Sequence, residues 1–139
     1  MKMLLDGKWV DRSKKIEVTD PYDGSLIDTV PQADEKDVEV ALSSAMKGFE
    51  EIKSLSVYQR AEILYKTVEL IKQQQNEIAT LLARESSKTI NEATGEVKRC
   101  INTLTVSAEE AKRILGETIP FDSFPGGEEK KGFYYRFPI

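Results

Sequence analysis

A chain of 139 residues, 40% hydrophobic and 32% charged, has the composition of one folded domain or part of one. Its net charge of −4 argues against nucleic-acid binding, which needs a basic face. With no histidine and one cysteine, the sequence excludes Ser-His and Cys-His nucleophile pairs, histidine metal ligands and an internal disulfide. No apolar run approaches the roughly 18 residues of a membrane span. Asp6 and Lys8 interrupt the only short apolar stretch near the start, so Met1 to Asp11 is not expected to be a secretory leader. A cytoplasmic, reducing location is the default expectation.

The first thirty residues read as strands. Asp6-Gly7 separates the apolar pieces Leu4-Leu5 and Trp9-Val10, a pairing that suits a tight hairpin turn with positive φ. Ile16 to Thr19 alternates with period two, Pro21-Tyr22-Asp23-Gly24 supplies a turn, and Leu26 to Val30 returns to Pro31. Helices come next. Asp34 is placed to cap a helix carrying Val38, Ala41, Leu42, Ala45, Phe49 and Ile52 at helical spacing. Ser56 and Gln59 form a capping box before Ala61, Leu64, Val68 and Ile71. Ile78, Leu81 and Leu82 mark a shorter third helix. Thr89 and Glu92 form another box, opening the longest helix, whose apolar side is read as Ala93, Val97, Cys100, Ile101, Leu104, Ala108, Ala111 and Leu115. Gly116 is read as the glycine that ends it, after Lys112 and Arg113. Pro120 to Lys131 reads as a loop. Gly132 to Ile139 alternates as a strand, with Phe133, Tyr135, Phe137 and Ile139 on one face.

The search for chemistry returns little. There is no Gly-x-Gly-x-x-Gly, no Walker loop and no Gly-x-Ser-x-Gly. Gly126-Gly127 is either a phosphate cradle or a flexible loop, the loop being favoured. Cys100 falls on the apolar stripe of the long helix and is expected to be a buried, inert thiol. Glu109-Glu110 and Glu128-Glu129 are adjacent carboxylates expected to be solvated; neighbours on a helix do not face each other. Tyr134 and Tyr135 are either ligand-stacking rings or ordinary strand residues. Lys88, just before a capped helix start, is either an anion ligand or a solvated lysine.

Taken in order, "DGKWV", "DPYDGSLIDTVPQA", "AMKGFEEIKSL", "YQRAEILYKTVELI", "LLARESSKTINEATGEV", "AEEAKRILGETIP" and "YRFPI" resemble the amino-terminal part of the NAD(P)-dependent aldehyde dehydrogenase superfamily. The resemblance runs from about Leu4 to Ile139. It departs from the family pattern where Ser87 and Thr89 replace the usual Gly and Pro around Lys88, and where Phe137 replaces a Glu.

The resemblance implies an α/β, aldehyde-dehydrogenase-like fold: an N-terminal hairpin region, about four helices and a terminal strand. Residues 1–131 would be the N-terminal part of the cofactor-binding domain, and residues 132–139 the start of an oligomerisation arm. The chain would then be an N-terminal fragment of an oxidoreductase that converts an aldehyde to a carboxylic acid. The family's catalytic Cys and Glu and its cofactor loops lie downstream, so no catalytic or cofactor-binding residue is carried over. NAD or NADP would serve the full-length parent, none is expected for this chain alone, and the isolated chain is expected to be inactive. The resemblance also implies a monovalent-cation site using the Thr19 carbonyl and Glu85, incomplete without a further ligand; otherwise Glu85 is a solvated helix-end carboxylate. Expected partners are the remainder of the dehydrogenase subunit and, through the terminal strand, a second copy; no nucleic acid or membrane is expected. The competing reading is a non-catalytic helical interaction module.

Overall fold

The computed structural model describes residues 1–137. Strands β1 (Met3–Leu5) and β2 (Lys8–Val10) pair antiparallel, Leu5 opposite Lys8. Asp6 and Gly7 both take positive φ, 49° and 71°, which gives the twist a two-residue hairpin turn needs. Strands β3 (Lys15–Thr19) and β4 (Leu26–Pro31) form a second ribbon, with an irregularity in register between Val18 and Thr19.

Helices α1 (Glu35–Ser54), α2 (Val57–Gln73), α3 (Gln75–Ser86) and α4 (Ile90–Ala111) succeed them. Three of them open on reciprocal capping boxes: Asp34 with Asp37, Ser56 with Gln59, and Thr89 with Glu92. Each box satisfies orphan N–H groups at both ends of the first turn, so local sequence fixes where these helices begin. Helix α4 packs along both α2 and α3. Ala79, Ala93 and Val97 form the buried centre, flanked by Ile71, Ile78, Leu82, Ala83 and Ile101. Ala61, Val68 and Ala108 are also buried. Small residues at these positions let the helix backbones approach closely.

Helix α1 stands apart from that bundle, its principal contact being with β1. Val38, Leu42, Phe49 and Ile52, at helical spacing, are exposed. Its N-terminus is tied down by Asp37, the one buried charged residue among those described, at 4% exposure. Arg12 grips both oxygens of Asp37, through Nε at 3.1 Å and through Nη2.

The end of the described chain departs from expectation. Helix α4 stops with Lys112 as its C-cap, and Gly116 lies beyond that terminus. Glycine is required at 116 for another reason: a Cβ there would run into the Tyr134 carbonyl oxygen. Leu115, expected on the helix stripe, is exposed outside it. The segment Glu117–Ile119 forms a strand, β5, that the sequence reading missed, and Phe121–Ser123 a short 3-10 turn inside the expected loop. Strand β6 covers Gly132–Tyr134, shorter than the strand expected to start at Gly132, and pairs antiparallel with β5. The expectations for Pro138 and Ile139 lie outside the described residues.

Candidate functional site

The segments singled out by the sequence meet where the β3–β4 turn reaches the junction of α3 and α4. The turn is built from its own side chains: Asp20 Oδ1 accepts the Tyr22 N–H at 2.9 Å, and the Gly24 N–H donates to the Asp20 carbonyl at 2.8 Å. At the junction Ser87 ends α3 in the left-handed conformation, φ 52°, and the Lys88 N–H closes back on the Ala83 carbonyl at 3.1 Å. Thr89 comes next, as the cap of α4. Ser87 Oγ and Asp20 Oδ1 approach to 3.4 Å, a long hydrogen bond. Between them lies an open cavity of about 310 Å³ lined by Asp20, Tyr22, Arg84, Ser87 and Lys88 among others.

Of the two residues implied as cation ligands, Thr19 closes β3 beside its register irregularity, and Glu85 sits in the last turn of α3. The Asp20–Ser87 contact therefore joins the residue after Thr19 with the residue two positions after Glu85. Among the described residues, no three His, Cys, Asp or Glu side chains gather as a metal cluster.

The anion-binding alternatives find their positions taken. Lys88 Nζ is paired with Glu96 Oε1 at 2.6 Å. The start of α4 beside it is filled by Glu92, whose Oε2 accepts the Thr89 N–H at 3.0 Å. Hydrogen bonds from Thr89, side chain and backbone, hold the Glu92 carboxyl below its ordinary pKa, so it stays anionic there. At Gly126-Gly127 the Gly127 N–H donates to the Phe124 carbonyl, and the Gly126 N–H donates to Glu128 Oε1 at 3.0 Å. Backbone hydrogen bonds, first from Glu128 itself and then from Gly126, keep the Glu128 carboxyl below its usual pKa. An ionised carboxylate on the glycine pair repels a phosphate.

The remaining candidates resolve individually. Cys100 is exposed, which corrects the expectation of a buried thiol. Tyr134 lies under the Arg136 guanidinium, 5.8 Å from its ring centroid, and Tyr135 packs edge-on against Phe133 at 5.6 Å. Both rings serve the chain's own tail.

The whole-chain comparison decides what the local geometry does not. Residues 9–139 match the family model described as "Aldehyde dehydrogenase family". The chain belongs to the aldehyde dehydrogenase family. It is 40% identical to aspartate-semialdehyde dehydrogenase 1 of Pseudomonas canavaninivorans over 124 residues, 89% of this chain and 26% of the relative. Aldehyde dehydrogenase 21 from Physcomitrella patens, solved in complex with its reaction product succinate, superposes with a TM-score of 0.86 at 37% identity. That match covers 95% of this chain and 28% of the solved one. The NADP-dependent glyceraldehyde-3-phosphate dehydrogenase from Bacillus halodurans, complexed with NADP, gives a TM-score of 0.83 at 29% identity, covering 91% of this chain and 27% of that one. The chain thus spans about a quarter of the length of the relatives it matches. The fold of an aldehyde dehydrogenase segment is present, with four helices and paired strands in an α/β arrangement. Among the described residues no helix is long and apolar enough to cross a membrane.

Proposed function

We propose that this chain is the amino-terminal segment of an NAD- or NADP-dependent enzyme that oxidises an aldehyde to a carboxylic acid. The observation that carries this is the family match over residues 9–139 by a chain about a quarter as long as its relatives. Residues 1–131 form part of the cofactor-binding domain, and the oligomerisation arm begins at residue 132. The working location is the cytoplasm, and the partner is the remainder of the subunit.

The isolated chain is proposed to be catalytically silent. Its one thiol, Cys100, has no histidine to activate it, and its glycine pair carries a carboxylate. It is also proposed to self-associate through the terminal segment, where Phe133 of β6 and Tyr135 and Phe137 after it are exposed. One preparation tests both statements. No NADH or NADPH should form with aldehydes, and sedimentation velocity should show association rising over a hundredfold concentration range. Turnover abolished by Cys100→Ala, or a monomer throughout, would remove the respective statement.

The Thr19 carbonyl and Glu85 are proposed as two oxygen ligands of a monovalent cation, completed from elsewhere in the subunit. Sodium or potassium should raise the melting temperature of the full subunit over a bulky organic cation at equal ionic strength, and Glu85→Gln should abolish the difference. An unchanged difference in the variant would reject the assignment.

A second reading, a non-catalytic helical interaction module, draws on the exposed stripe of α1. A native polypeptide of 15.7 kDa favours the module, and a much larger one the dehydrogenase segment.

A further inference from the structure

We draw no further inference here: the strongest candidate, the exposed apolar stripe of α1 (Val38, Leu42, Phe49, Ile52) that runs into the groove beside Ile114 and Phe137, carries nothing because nothing in the structure shows what covers it.

Discussion

Helices α1 and α4 are close in length, 20 and 22 residues, and each opens on a capping box. Along α4 the buried residues are Ala93, Val97 and Ala108. Along α1 the only buried residue is Asp37, a carboxylate. Both helices carry an apolar stripe at helical spacing, but only that of α4 meets facing stripes on α2 and α3. A capped, amphipathic sequence is therefore sufficient to define a helix and insufficient to give it a core. Helix α4 is held by burial of small apolar side chains, α1 by its cap and one ion pair.

The widest separation between the two helices should come from core substitution. Ala93 is fully buried at the centre of the bundle. Ala93→Leu should overpack it and destabilise the chain by about 1–3 kcal/mol. Leu42, on α1, is 56% exposed. Leu42→Ala should shift stability by no more than about 0.5 kcal/mol, as for other surface positions. Urea unfolding midpoints of the two variants check this, and equal shifts would erase the distinction.

A smaller, local effect is expected from acid. The Arg12 hydrogen bond, and then the Asp34 N–H, hold the Asp37 carboxyl below the ordinary carboxylate pKa. A lowered folded-state pKa means the ion pair's contribution is present above the unfolded value, about 3.9. It is lost as pH falls from there through the folded pKa. Amide protection in the first turn of α1, taken relative to the intrinsic exchange rate at each pH, should therefore fall below about pH 4, where unfolded carboxylates begin to protonate. In Asp37→Asn that turn should already exchange quickly at pH 6. Identical protection in parent and variant would mean the pair does not anchor the helix.

The smallest effect is expected at the exposed α3–α4 junction. Ser87 holds a left-handed conformation, φ 52°, which strains a residue bearing a Cβ by about 1–2 kcal/mol. Glycine removes that strain but gains unfolded-state freedom of about 0.4–1 kcal/mol. Ser87→Gly should thus stabilise by about 0–1.6 kcal/mol. A lowered thermal midpoint would show that the hydroxyl contact with Asp20 outweighs the strain.

The same contrast explains what could be read from sequence. Helix starts and the first hairpin turn were legible because a few adjacent residues decide them: Asp34, Ser56 and Thr89 as caps, Asp6-Gly7 as the turn. The side of α4 that faces its neighbours was legible through Ala93, Val97, Ile101 and Ala108. Cys100 was misplaced because it lies at the edge of that stripe. At about 100° per residue it sits roughly 60° from Val97, on the side away from Ile101. The arc covered by two neighbouring helices does not reach it. Gly116 was misread because a glycine after basic residues signals a helix end, while here the demand comes from Tyr134, 18 residues on. Strand β5 was missed for the same reason: three residues, Glu117 to Ile119, carry no period of their own and become a strand only by pairing with β6. At the candidate site the family resemblance implied Thr19 and Glu85, the sequence singled out Lys88, and the capping box already placed Glu92 at the start of α4, but nothing local showed that Glu96, eight residues on, would pair with Lys88.

The join between α1 and α2 has one more consequence. Leu55 is the C-cap of the first helix and Ser56 the N-cap of the second, with no residue between them. Arg60 braces the corner by donating to the Leu55 carbonyl at 2.7 Å. The joint is thus an elbow without slack, and the axis of α1 is dictated by that of α2 even where their side chains do not interlock. Direction is transmitted through covalent geometry and capping bonds, which need no shared core. Lengthening this corner by even one residue would leave two intact helices and a swivel between them.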